Sequence, residues 1–386
     1  MKKQIPEKKQ QNIFKRLLAL AVTAALIFGG LFLALNWDRY NLDALKRHMV
    51  LREIETGISG EARPFTHGGG DSFSAAYLPD GLVMTSSTGA RYYTFSGKPY
   101  SEQVVPMEYP VVTSAGAYAA AYDAGGKELW IYHGGEEIFS HTLEGEGDLL
   151  SVRLNENGWL AVTAQESGYK GSVTVYNARY EPVFRLNRSS TFVVDAMVSP
   201  DCKRVAVVTM GQTEGRFSSR LLIFRLDSEQ PEREILLGNM AVLELEYEKG
   251  QLWVMGENTL VRIPTDTWES DLRSLGHSYL KGVSFGGHGF AMVMLGHYRV
   301  GSANQVLIVD ADGTEYEMTA EEQILDYDAA GGYVCLLSSK GLDIYTKDLD
   351  PYRSMEQTQN GRYVVLADNA SAMLASRQQA WMYIPE

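Results

Sequence analysis

Eight short strands of similar make-up recur along this chain, and their spacing leaves few folds open. Each ends in a large apolar or aromatic residue: YYTF at Phe95, LWIY at Tyr132, VTVY at Tyr176, LLIF at Phe224, LVRI at Ile263, VLIV at Val309, LDIY at Tyr345 and WMYI at Ile384. Successive end points lie 36 to 48 residues apart. A propeller blade of four strands repeats at about that length. Every copy follows another apolar strand, from LVMTS and AYAAAY early in the chain to YVCLLS and SAMLAS late in it. Between them stand Asp80-Gly81, Gly125-Gly126, Asn157-Gly158, Asp312-Gly313 and Asn360-Gly361. Such pairs supply the positive φ that tight hairpins need.

The spacing predicts an all-β fold, an eight-bladed β-propeller in which the recurring strand is the third of four. A seven-bladed ring is the alternative, because weak repeats let the count slip. A β-sandwich or two stacked β domains would also show short strands, but not eight look-alike hairpins at one interval. The last repeat lacks a fourth strand before the chain ends. Leu51–Ile58 (LREIETGI) is predicted to supply it, which would leave no free sheet edge. Tyr132 to Phe139, Val309 to Tyr316 and Tyr345 to Tyr352 each span seven residues. That spacing predicts hairpins with both large side chains on one face.

Ahead of the repeats, Leu17 to Trp37 reads LLALAVTAALIFGGLFLALNW, 21 residues without a charge. A bilayer core takes about 20 apolar residues as a helix. Lys2, Lys3, Lys8, Lys9, Lys15 and Arg16 precede it, which puts that side in the cytoplasm. A cleaved signal peptide would have a shorter apolar core and a small-x-small site; this run ends in Leu-Ala-Leu-Asn-Trp. The expected order is a basic cytoplasmic tail over 1–16, a transmembrane helix over 17–37, a juxtamembrane linker over 38–50 and a propeller over 51–386. The protein is then single-pass in the cell membrane, with its C-terminal domain extracytoplasmic. Asn41 to Met49 is expected to form a short helix.

The formal net charge is −13, and the basic tail makes the rest more acidic still. Nucleic acid is a poor partner for such a surface, because binding phosphates takes compensating Lys and Arg. Cys202 and Cys335 would lie three blades apart, too far to bridge, so two free thiols are expected. Cys335, within Tyr333-Val-Cys-Leu-Leu337, reads as a core residue.

The stretch AYDAGGKELW, Ala121–Trp130, resembles the repeat of pyrroloquinoline-quinone-type and WD-type propellers, where an Asp, a Gly-Lys turn and a Trp recur in each blade. Here the match occurs once, so the resemblance implies hairpin geometry and not the quinone. The whole chain, with its basic tail, apolar span and irregular repeats, resembles an uncharacterised domain-of-unknown-function family of membrane-anchored propeller-like proteins from Gram-positive Firmicutes. That resemblance implies no activity, cofactor or catalytic residue.

No motif carries catalysis outright. The sequence shows no Gly-x-Ser-x-Gly elbow, no Gly-x-x-x-x-Gly-Lys loop and no His-Glu-x-x-His. The seven His are scattered, and no metal or cofactor is expected. Three of them, His277, His288 and His297, fall in the sixth repeat, His288 within a Gly-Gly-His-Gly turn. Asp310-Ala-Asp312-Gly313 resembles the opening of a calcium loop but lacks the spaced Glu, and reads as a β-turn.

The sharpest functional hint lies between second and third strands, where three repeats carry insertions. These are Gln165 to Gly171, Met210 to Arg220, and Gly296 to Gln305. Each sets an aromatic beside a base: Tyr169-Lys170, Arg216-Phe217 and Tyr298-Arg299, the last next to His297. Corresponding loops of a propeller share a rim. Aromatic and Arg residues are what binding hot spots favour, although surface loops also tolerate insertions. The reading is a membrane-anchored binding or scaffold module for a protein or an envelope polymer. The alternative is an enzyme acting on an envelope glycan or peptide, with carboxylates in the central funnel. A quinone-dependent dehydrogenase is a weaker third.

Overall fold

The computed structural model describes residues 15–23, 26–28, 42–70, 72–213, 215–286, 288–356 and 358–385. It divides into two units, residues 1–49 with 386, and Val50–Pro385. In the first, residues 15–23 and 26–28 are helical, with Leu17, Leu20, Leu26 and Phe28 exposed. A further helix, Leu42–Val50, runs on into the start of the second. Asp43 in its first turn and Arg47 and His48 in its last suit the helix dipole. Most of the apolar span predicted over 17–37 lies outside the described residues. Among those described, no helix is long and apolar enough to cross a membrane.

The second unit is built from antiparallel strands alone. Six sheets have four strands each, and a seventh has seven. The larger one arises because a single long strand, Glu315–Ala330, serves two neighbours. Glu315 to Thr319 pair with Ala303–Asp310, while Asp326 to Ala330 pair with Tyr333–Ser338. The second strands are the most buried, and Gly81–Ser86 and Phe290–Gly296 are buried at every position. A strand covered on both faces shows continuous apolar runs instead of alternation. Fourth strands are outermost, and Glu136–Thr142 alternates exposed and half-buried residues.

The recurring strand seen in the sequence is third in its meander each time, from Gly89–Tyr93 to Gln379–Tyr383. First strands neighbour one another in chain order: Phe73–Leu78, Pro110–Ala115, Asp148–Leu154, Phe192–Val198, Val242–Glu248, Tyr279–Phe285, the second part of Glu315–Ala330, then Tyr363–Leu366, which returns to Phe73–Leu78. Among the described residues the apolar core divides into eight clusters, one between each meander and the next. The last joins Met373 and Met382 to Leu82 and Tyr93.

Closure differs from the expectation. The strand that completes the last sheet is Phe65–Thr66, paired as Phe65 with Ala380 and Thr66 with Gln379, not Leu51–Ile58. Residues 51–62 instead form turns, with a bridge from Thr56 to Ala62 and another from Glu61 to Tyr383. Leu51 is buried in one cluster with Tyr93, Phe95 and Met382, and Ile54 packs against it, so the predicted edge strand contributes two core residues instead.

The seven-residue hairpins also differ. Ile131, not Tyr132, stands opposite Phe139. Ile308 opposes Tyr316, and Ile344 opposes Arg353. Bulges at Ile131/Tyr132 and Ile344/Tyr345 shift the register, and a one-residue slip turns a side chain to the other face. Tyr132 therefore packs with Tyr92 in one core cluster while Phe139 packs against the next. Cys202 and Cys335 are both free thiols.

Up-and-down meanders give the ring two ends. First-to-second and third-to-fourth connections lie at one, the turn end. Second-to-third connections and the crossings between sheets lie at the other, the loop end. The chain comes in at the turn end, where Ala62 N donates to Met382 O at 2.8 Å and Ile384 N to Gly60 O at 2.8 Å.

Candidate functional site

Innermost strands have one unpaired edge, so their N–H groups need partners from elsewhere. Side chains of neighbouring first strands provide them. Val364 N and Leu366 N donate to Asp326 Oδ2 and Asp328 Oδ2, each at 2.8 Å. Val112 N donates to Ser74 Oγ at 3.2 Å, and Ser284 Oγ to Asp328 Oδ1 at 2.8 Å. Ser151 Oγ donates to Asp195 Oδ1 at 2.5 Å. Each of these bonds ties one meander to the next.

The axis also holds one arginine among acids. Arg153 pairs with Asp195 at 2.9 Å and reaches past the intervening meander to Glu244 at 2.6 Å. Glu246 lies within reach of the same charge. Burial pushes the Glu246 carboxyl up to about 8, despite Arg153. Asp326 is pushed up to about 7 by burial, against the pull of its backbone N–H bonds. Asp328 is raised by burial as well. Carboxyls kept neutral near pH 7 are a feature of catalytic sites and of buried structural acids alike.

At the turn end the axis opens into a cavity of about 580 Å³, formed where five consecutive first strands finish. Glu156, Glu246, Glu248, Lys249 and His288 line it. Burial and the neighbouring Glu156 charge raise Glu248 to about 7. Among the described residues no group of His, Cys, Asp and Glu is placed to hold a metal. Asp310-Ala-Asp312-Gly313 is a turn, closed by Gly313 N donating to Asp310 O at 2.9 Å, and Asp310 pairs with Lys347.

The loop end has a different chemistry. The first strands of five consecutive meanders carry a β-bulge at the same point, next to their start. Each bulge leaves one residue without a ladder partner: Leu150, Val194, Leu243, Lys281 and Leu325. The three leucines are exposed, Leu243 by 55%. Phe192 and Tyr279, at strand starts, are exposed too. At the opposite end the exposed large apolar side chains among the described residues are fewer: Ile58 of the incoming segment, and Tyr100, Val183 and Leu272 near the starts of fourth strands.

The residues singled out in the sequence all fall at this loop end. Tyr169 and Lys170 close the turn before Gly171–Tyr176, and Lys170 Nζ lies 5.0 Å from the centre of the Phe192 ring. Arg216 and Phe217 are not in a loop. They lie near the tip of a hairpin formed by Arg204–Thr213 and Arg216–Arg225, where Phe217 opposes Gln212. His297, Tyr298 and Arg299 form an exposed loop, with His297 edge-on to Tyr298 at 4.8 Å and Tyr298 69% exposed. Lys281 Nζ donates to Arg299 O at 3.0 Å. The bulge leucines went unseen in the sequence, since nothing in Leu-Leu-Ser or Val-Leu-Glu marks an extra residue.

A family model matches residues 66–350, and its description is a family of unknown function, DUF5711. The chain belongs to that family. No curated protein matches it. Among solved structures, the C-terminal WD40 domain of Sif2 is similar with a TM-score of 0.58 and 12% identity, over 83% of this chain and 97% of that one. AztD from Citrobacter koseri gives 0.53 at 10% identity, over 75% and 86%. BamB from Moraxella catarrhalis gives 0.51 at 10% identity, over 84% and 99%. At such identities the likeness is one of fold alone, and the DUF5711 chain has a β-propeller fold.

Proposed function

We propose that this DUF5711 protein is a membrane-anchored binding module, an eight-bladed propeller whose loop end docks a partner protein outside the cytoplasm. The observation that carries the reading is the contrast between the two ends. Exposed apolar side chains gathered at one end of a molecule mark interaction sites, and more of them stand at the loop end than at the turn end. The eight-bladed count is supported by the closed succession of first strands and by a core cluster between each neighbouring pair. Anchoring, and a Gram-positive envelope as its setting, is supported by the uncharged stretch 17–37 behind its basic tail. Within the propeller unit the incoming chain meets the ring at the turn end, opposite the loop end.

The test replaces Tyr169, Arg216, Phe217, Tyr298 and Arg299 together in the full chain and compares crosslinked partners recovered from intact cells. All five are exposed, so the fold is expected to survive, as checked by circular dichroism. Recovery equal to that of the unaltered chain would end the proposal.

A second reading has its own observation. Glu246 and Glu248 face one cavity with carboxyls raised to about 8 and about 7, and a protonated carboxyl near neutral pH can act as a general acid. An envelope glycan hydrolase would use such a group in the funnel. Incubating purified protein with cell-wall glycan and measuring reducing ends tests it. Release that Glu246→Gln abolishes would support the enzyme, and no release between about pH 5 and 8 would dismiss it.

A further inference from the structure

We infer that the loop end takes an acidic polypeptide segment bearing apolar side chains, an inference that rests on the partner-binding reading above and specifies the partner's chemistry. The charge is the starting point. This chain has 48 acids and 35 bases, yet the loop end of the third, fourth and sixth meanders gathers Lys170, Arg188, Arg216, Lys281 and Arg299. Among the described residues none of these five joins an ion pair, although other bases that reach this end do, Lys340 with Glu322 and Arg185 with Glu166. The acceptors that three of the five do use are neutral. Lys170 Nζ donates to Ser190 O at 3.2 Å, Lys281 Nζ to Arg299 O at 3.0 Å, and Arg188 Nε to Thr191 Oγ1 at 3.4 Å. Among the described residues no carboxylate stands within ion-pair distance of the five, which leaves each able to meet negative charge in a partner.

The apolar residues narrow the class. Leu150, Leu243, Leu325 and Val300 are aliphatic, and Val300 is 89% exposed. Covering them gains free energy only if the occupant brings apolar groups of its own. A polyphosphate or uronate polymer has none to bring. A polypeptide with acids interspersed among Leu or Phe satisfies both parts. Lys170 over the Phe192 ring shows the same combination of cation and apolar face within the protein itself.

The experiment selects a random twelve-residue peptide library on the full-length protein in detergent micelles. Binding of the best peptide is then measured against salt and against two sets of variants. The charge set is Lys170→Glu, Arg216→Glu and Arg299→Glu, with Gln at the same three positions as a gentler second version. The apolar set is Leu243→Ser with Tyr298→Ser. The expected result is enrichment of Asp and Glu together with Leu, Phe or Trp. Affinity should fall about tenfold between about 50 and 500 mM salt, and about tenfold or more in the charge set. Neutral or basic peptides sensitive to the apolar set but not the charge set would overturn the acidic partner and leave the docking face standing. Peptides indifferent to both sets would overturn the two together. Long-chain polyphosphate is the control for a polymer ligand; displacement of the peptide by it at equal charge concentration would overturn the polypeptide assignment.

Discussion

Single residues on the axis decide how this ring responds to pH. An ordinary carboxylate releases its proton near pH 4, whereas Asp326 and Glu246 hold theirs to about 7 and about 8. Between those limits the folded chain binds more protons than the unfolded one, so stability falls as pH rises through the window and is recovered on acidification. Thermal unfolding should therefore show a higher Tm at pH 6 than at pH 8. Asp326→Asn should flatten that dependence, since the amide oxygen can still accept from Val364 N but never ionises. A Tm that rises from pH 6 to pH 8 would refute this account of the axis. Gly89 makes a second case. Its φ is +131°, and a Cβ there would stand 1.9 Å from Gln103 O. Gly89→Ala is expected to cost about 2 kcal/mol or more, measured by urea unfolding. Neither role was legible in the sequence. Forty-eight acids look alike until the fold turns a few toward the axis, and a glycine's carbonyl neighbour belongs to a strand fourteen residues on.

Elements were easier to see than residues, and the exceptions have physical causes. Third strands stood out because half or more of the positions in each are buried and each has a large apolar or aromatic residue at or near its end, and spacing then set their place in each meander. The closing strand stayed hidden because it is two residues long, Phe65–Thr66, too short for any pattern; LREIETGI is longer but forms turns instead. The long strand Glu315–Ala330 hid a boundary, since no glycine or proline interrupts EYEMTAEEQILDYDAA. Bulges are a property of pairing and leave no mark on composition. Deleting residues 1–66 should expose Gln379–Tyr383 as a free edge, lowering Tm and promoting aggregation by light scattering, more than deleting residues 1–50 does. Leu150→Ser, Leu243→Ser and Leu325→Ser should each alter stability by less than about 0.5 kcal/mol, because these side chains are exposed. A large loss in urea unfolding would mean the leucines serve the core, not the face.

Across the whole molecule, the two ends of the ring divide the work. Side chains close the axis from blade to blade with hydrogen bonds and one Arg153 network. The turn end receives the incoming chain and holds an acidic cavity. The loop end carries exposed leucines, aromatics and five bases that join no ion pair among the described residues, on a scaffold that gives them fixed positions. The ring itself was legible from repeat spacing, and so was the choice of Tyr169, Arg216, Phe217, Tyr298 and Arg299 as residues of one end. What makes that end distinctive, its contrast with the other, required knowing which side chains the fold leaves uncovered. The most direct test places a photo-reactive amino acid, one position at a time, at Tyr169, Phe217, Leu243 and Tyr298 of the loop end and at Asn157, Lys203 and Lys249 of the turn end, in living cells. Crosslinks to a common protein from the loop positions and none from the turn positions are the expected outcome; crosslinks to a protein from the turn positions alone would contradict the docking face.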